Sequence, residues 1–499
     1  MSEEIRDVVI VGGGLAGWHS AARLCHAMRG RKLQVRVLRG SAASAPPDPL
    51  DVLCASSLSG LPVAHAELGI DEQGFMRECD ATFKLATEYR GFGAFGGSYL
   101  LPFGEIGARF EAVGFHQFMA RVAKSGHDVS LDEFSVPAVA ARLGRFAHPT
   151  RDARSVLSTY EYGYHFDTQT YTRGLRVLAE KLGAIAVDGD FGGCEIGDSG
   201  EIRSVSLDDG TRVAADLVID CTGTRAAVLG AALEVPFESW RDWLPCDSAL
   251  VGRIPAPADI APCTRVSAQP EGWSWRVPLR SAVETAFVHD SRAISPEDAA
   301  RCASAAAGVD IPALRTLRFE NGIRREAWRG NCVAIGAAAG FVEPLASTGL
   351  QLIDAAITRL IALFPHRGDM RLTSVEFNRI LADQYEQARD FVLLHYLLSE
   401  RIGGLWSAAA TPSPASVARF LELFRHRGRT PILDDEIFEE AWWACACFGL
   451  GIRPDRFSII AEQMNEADLL AQLDKVKRVM RSAVERLPAH RAYLQGYLR

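Results

Sequence analysis

No apolar run in these 499 residues is long enough to cross a bilayer. Nor is there an excess of basic residues of the kind that grips nucleic acid or an anionic lipid surface, since the net charge is -8. A basic leader is missing too. Ser2-Glu3-Glu4 is acidic and the apolar stretch at 8–11 is short, so a cytoplasmic protein is expected. The eleven cysteines follow no paired spacing, and Cys221 and Cys332 sit inside apolar segments, so reduced, buried thiols are expected. Cys445 and Cys447 form a C-x-C, but no second ligand pair follows at zinc spacing, and no metal is expected. Internal repeats and low-complexity segments are lacking as well. What remains is an ordinary soluble balance, 48% apolar and 23% charged, in a chain long enough for a large core and more than one packed unit.

The first positive signal is Gly12-Gly13-Gly14-Leu15-Ala16-Gly17, directly after the apolar strand pattern at 7–11 and before a helical pattern at 18–28. This is G-x-G-x-x-G between strand and helix. Gly12 permits the tight turn, Gly14 lets the backbone approach a pyrophosphate, Gly17 brings helix against strand, and the helix N-terminus offers free N–H groups to the anion. The next strand pattern, 33–38, ends on Arg39 where an acid would hold ribose hydroxyls. An arginine cannot accept those hydrogen bonds, so it either binds a phosphate or marks a lost acid. Further on, residues 215–223 and 330–341 read as strands ending in small-residue turns, and a helix is predicted over 350–363. The segment Tyr164-His165-Phe166-Asp167 is read as opening a helix, with Asp167 as its N-cap. From about residue 372 the pattern is helical, interrupted by a Pro/Ser/Ala loop at 408–416. No second G-x-G-x-x-G serves a nicotinamide cofactor.

Three stretches acquire meaning together. Gly272-Trp273-Ser274-Trp275-Arg276-Val277-Pro278 fits G-W-x-W-x-[IV]-P. Gly340-Phe341-Val342-Glu343-Pro344-Leu345-Ala346-Ser347-Thr348-Gly349 is a small-residue turn leading into a helix. Lys84 follows a Phe, and alone reads as an ordinary surface lysine. With the glycine loop, they make the chain resemble the tryptophan-halogenase family of flavin-dependent halogenases over nearly its whole length. The resemblance implies an α/β, FAD-binding Rossmann-like flavoprotein of the two-dinucleotide-fold type. It would comprise a FAD module at 1–366 with substrate-side insertions and a helical subdomain at 367–499. It further implies reduced FAD from a separate flavin reductase, O₂, chloride or bromide as co-substrate, and an electron-rich aromatic substrate of indole or tryptophan type. The oligomeric state stays open, a homodimer included.

Residue by residue, the resemblance implies Lys84 as the amine that delivers hypohalous acid, by hydrogen bond or as a haloamine, with Ser347 positioned beside it. FAD would be met by Gly12, Gly14, Leu15, Ala16, Gly17, Arg39, Ala55, Gly336 and Leu345, and halide by Thr348 and Gly349. Trp273, Trp275, Phe103 and His116 would stand on the substrate side, the tryptophans keeping the arene from the flavin; His116 also has a purely structural reading. The segment Gly96-Gly97-Ser98 through Gly104 belongs to the same region. Departures from the family pattern are Arg39, Cys54 in place of a Glu in a Gly-Glu-Ala-Thr loop, and Ala346 in place of a Glu between Leu345 and Ser347. They leave two other readings open: a flavin monooxygenase or oxidase on the same scaffold, and a flavin-binding protein without turnover.

Overall fold

The computed structural model describes residues 4–40, 48–93, 97–107, 113–368, 370–401, 403–408, 413–431 and 436–499. Gly96, Ala45-Pro46-Pro47 and residues 409–412 of the 408–416 loop lie outside them. The apolar strand at the N-terminus, Asp7–Val11, is central in a six-stranded sheet. Its order is Trp328–Arg329, Cys332–Ala334, Leu217–Asp220, Asp7–Val11, Gln34–Leu38, Ile185–Val187, and every pairing except the first is parallel. Strands buried on both faces must be apolar throughout, which is how Val8, Val9 and Ile10 read, all at 0% exposure. Helix Leu15–Ala27 packs on Thr168–Lys181 and Gly349–Ala362. This is the expected α/β dinucleotide-binding architecture.

A second, seven-stranded sheet carries the other face of the site. It runs Arg315–Arg318, Ser248–Pro255, Ala282–His289, Gly272–Pro278, Cys263–Gln269, Ala86–Arg90, Ser98–Pro102, antiparallel except where Ala86–Arg90 joins Cys263–Gln269. Lys84 closes the short strand Thr82–Lys84 just before this sheet, paired antiparallel with Gly163–His165. The segment predicted to open a helix at Tyr164 is therefore strand first, and the helix begins at Thr168, where Asp167 accepts the Thr170 N–H at 2.7 Å.

The C-terminal helices share one continuous buried core with the sheets. Helix Arg371–Leu397 is anchored to the six-stranded sheet by Asn378, which accepts the Trp328 N–H and donates to the Trp328 carbonyl. Its Tyr385 hydroxyl donates to the Gly336 carbonyl. Cys445 and Cys447 lie buried in helix Glu440–Gly449, and all eleven cysteines are free.

Candidate active site

The glycine loop forms one wall of a cavity of about 840 Å³, lined by Gly12, Gly13, Gly14, Arg39, Thr222 and Arg225 among others. Glycine is required at two points. Gly12 has φ +120, and a Cβ there would stand 2.2 Å from the Cys221 carbonyl oxygen; a Cβ on Gly17 would stand 1.9 Å from the Gly12 oxygen. The opposite turn is held by Asp220, whose buried carboxylate accepts N–H groups of Thr222, Val228 and Leu229 and the Thr222 hydroxyl. Arg39 rims the cavity ion-paired to Asp188, and Asp190 lines it. Acids missing from the end of strand Gln34–Leu38 thus enter from the neighbouring strand's end. Arg173 and Arg176 add positive charge to the rim. An elongated anion with polar ends fits this lining.

A narrower cleft continues past Ala16, Gly336, Gly340 and Gly349 to Tyr385. Between the two cavities sits the turn Pro49–Cys54, whose side chains press on the glycine loop. Asp51 Oδ2 accepts the Leu15 N–H at 2.9 Å, at the start of the helix. Burial, with Asp48 nearby, pushes the Asp51 carboxyl up to about 8, and Asp48 is raised by burial too. Cys54 reaches Gly349, where an added Cβ would meet its sulfur at 2.8 Å. Ala55 is buried and passes its carbonyl to the Phe166 N–H. Leu345, also buried, accepts the Tyr89 hydroxyl on its carbonyl.

Lys84 is fully buried, at 0% exposure. Its Nζ donates to the Ser57 carbonyl at 3.1 Å and stands 5.1 Å from the centroid of the Phe103 ring. Burial pulls its pKa down to about 7. Among the described residues it has no carboxylate partner. Phe103 in turn faces Trp442, with ring centroids 5.6 Å apart. At position 346 the buried methyl group of Ala346 stands where the resemblance implies a Glu.

Ser347 adopts φ +58, a left-handed conformation costly for a residue with a Cβ. Its hydroxyl donates to Ser56 Oγ at 3.3 Å, the residue next to the one that holds Lys84. Thr348 caps helix Gly349–Ala362, and its buried hydroxyl has no hydrogen-bond partner among the described residues. A buried, unpaired hydroxyl at a helix N-terminus suits a small anion.

Trp273 and Trp275 share one face of their strand and are almost wholly buried. The Trp273 N–H donates to the Tyr396 oxygen at 3.0 Å, and Tyr396 donates to Glu343 Oε1 at 2.6 Å. Burial lifts Glu343 to about 7. His116 is not drawn to the lysine: its Nε2 lies 2.9 Å from the Gly428 carbonyl, which ties two helices together. Sequence reasoning missed Ser57, Thr264 and His165. Thr264 Oγ1 lies 2.7 Å from Ser56 Oγ and 2.9 Å from His165 Nε2. Their only local signal is the period-two phase that puts Thr82 and Lys84 on one side of a strand; the partners come from far along the chain.

The family description "Tryptophan halogenase" matches residues 7–466. The chain is 30% identical over 544 residues to the tryptophan 7-halogenase KtzQ of Kutzneria sp. (strain 744), covering 99% of this chain and 98% of that one. It is 29% identical over 534 residues to the tryptophan 7-halogenase RebH of Lentzea aerocolonigenes, covering 99% of each. Among solved structures, BrvH, a flavin-dependent halogenase from Brevundimonas sp. BAL3, superposes with a TM-score of 0.92 at 33% identity, over 99% of this chain and 100% of that one.

Proposed function

The chain belongs to the tryptophan halogenase family, and from that premise we propose that it is a FAD-dependent halogenase of an electron-rich arene, an indole or tryptophan derivative. One observation carries the reading: a lysine amine at 0% exposure, without a carboxylate partner among the described residues, between the Phe103 ring and the Ser57 carbonyl, next to the serine that Ser347 bonds. FAD would be held by Gly12, Gly14, Leu15, Ala16, Gly17 and the Arg39 rim on one side and Gly336 and Leu345 on the other, with Ala55 behind. Reduced by a separate flavin reductase, it would supply with O₂ the oxidising equivalent that turns halide into hypohalous acid.

The residues of the chain do the rest. Thr348 and Gly349 hold the halide by hydroxyl and backbone N–H. Phe103 and the buried tryptophans exclude water and keep the arene to its own side. Lys84, in its ammonium form, hydrogen-bonds the hypohalous oxygen. As the arene takes the halogen, the oxygen leaves with the bonding pair and receives the Lys84 proton, giving water. An acid with a pKa near 7 is suited to that transfer, far more than an ordinary lysine.

The test uses the purified protein with a flavin reductase, O₂, bromide and indole. Bromoindole is expected, and Lys84→Ala should lower its formation by ~100-fold or more while FAD still binds. Equal yield from the variant would remove the lysine from the mechanism. Ala346 favours one other reading, a monooxygenase on this scaffold, and hydroxyindole as the sole product would establish that instead.

A further inference from the structure

We propose that His165, reached through the hydroxyls of Ser347, Ser56 and Thr264, takes up the proton that aromatic substitution releases. The proposal rests on the halogenase reading, because only an arene carrying a new substituent must lose that proton. His165 touches no reacting atom. It acts through the hydroxyls, as a positioning residue at the end of their chain.

The polarity of the chain can be worked out from its far end. Thr82 has one hydroxyl proton, and it goes to the Pro278 carbonyl at 2.6 Å. Thr82 can then only accept from His165 Nδ1, 3.1 Å away, so Nδ1 carries the N–H. The ring is neutral, because burial and then the nearby Lys84 and His490 hold its pKa well below the usual value. Nε2 is therefore a free base, and Thr264 donates to it at 2.9 Å. Having spent its proton, Thr264 accepts from Ser56 at 2.7 Å, and Ser56 accepts from Ser347 at 3.3 Å. Every hydroxyl from Ser347 to Thr264 points toward His165, and Ser347 Oγ is left with lone pairs and no proton of its own to give elsewhere. Thr82, Thr264 and His165 are at 0% exposure, and Ser56 and Ser347 at 2%, so water does not short-circuit the row.

The balance closes. The π pair of the arene forms the carbon–halogen bond while the halogen–oxygen bond breaks. Oxygen leaves as hydroxide and takes the Lys84 proton. The C–H pair then returns to the ring, and its proton passes to Ser347 Oγ. Each hydroxyl hands its own proton onward, and Nε2 becomes N–H. The sum is hypohalous acid plus arene giving haloarene plus water, once the imidazolium gives its proton back along the row to water admitted as product leaves, and the Lys84 amine regains one from the same water. A halogenated arenium ion is a far stronger acid than imidazolium, so a weak buried base is sufficient. Its weakness makes it release the proton again once the product has formed.

The deciding variant is His165→Gln, which keeps a hydrogen-bonding group near Nε2 but cannot be protonated. Expected are a kcat about 100-fold lower, an unchanged KM, and a primary isotope effect with arene deuterated at the substituted carbon. Ala346→Glu added to that variant should restore the rate and erase the isotope effect, because it places a base beside Ser347. Wild-type kcat in His165→Gln, or a loss with no isotope effect and no rescue, overturns the relay. Independently of turnover, the ¹⁵N spectrum of histidine-labelled protein should show His165 as the Nδ1–H tautomer. An Nε2–H tautomer reverses the row and overturns the proposal whether or not the variant folds. Wild-type protein that forms no haloarene at all defeats the halogenase reading, and the relay with it; haloarene from wild type and variant at equal rates defeats the relay alone.

Discussion

Lys84 is an expensive side chain to bury. An amine shifted from 10.5 to about 7 by burial costs stability at every pH below 10.5. The sign follows from proton counting. The unfolded chain binds the proton more tightly, so the penalty is complete below about pH 7 and fades as pH rises toward 10.5. Lys84→Met should therefore stabilise the fold by on the order of a few kcal/mol at pH 6, and by about half as much at pH 9. Denaturant titrations of both proteins at the two pH values measure it, and an equal gain at both would mean the amine is not shifted. The residue could be picked out in the sequence only because the tryptophan pair and the Pro344–Gly349 turn accompany it. Alone it looks like a surface lysine, since one-dimensional pattern carries no information on what packs over a three-residue strand. His165 escaped for the same reason: its partners Thr82, Thr264 and Ser56 stand 83, 99 and 109 positions away.

At the scale of elements, the turn Pro49–Cys54 sets the terms on which a dinucleotide enters. Asp51 lies on the Leu15 N–H, the same donor that a pyrophosphate would seek, and Asp48 stands beside Gly223. With Asp51 raised to about 8, the carboxyl is neutral at pH 6.5 and charged at pH 9. A second negative charge beside the phosphates repels them. FAD affinity should fall by roughly tenfold or more over that interval, and Asp51→Asn should flatten the dependence; flavin fluorescence titrations at the two pH values decide. A wild-type affinity independent of pH would mean that the carboxylate swings clear on binding. The glycine loop and its helix were legible because strand, turn and helix are contiguous and each glycine has a steric reason. The opposing turn was not, because Asp48 to Cys54 has no periodicity and its role is defined by what it touches.

Over the whole molecule, the helical C-terminal part and the FAD module share a core, with Asn378 bonded to Trp328 and Phe377 stacked edge-on against the same indole. Helix Arg371–Leu397 buries Phe377, Ile380, Leu381, Tyr385 and Phe391, and a chain ending at residue 366 would expose the surfaces they cover. Such a fragment should give no cooperative unfolding transition by calorimetry; a sharp one would make the module an independent domain. The division at 366/367 is thus proposed as one of topology rather than of separate folding. Sequence alone determined the α/β class and the glycine loop, because each rests on neighbouring residues whose spacing repeats a backbone geometry, and it pointed to the family and to Lys84 through the resemblance of three separate motifs. Tertiary structure alone decided that the lysine has no carboxylate partner among the described residues, that Asp188 pairs with Arg39 while Asp190 lines the cavity, and that five hydroxyl and imidazole groups align in one direction. Those contacts join segments 83 or more residues apart, and only packing brings them within hydrogen-bonding reach.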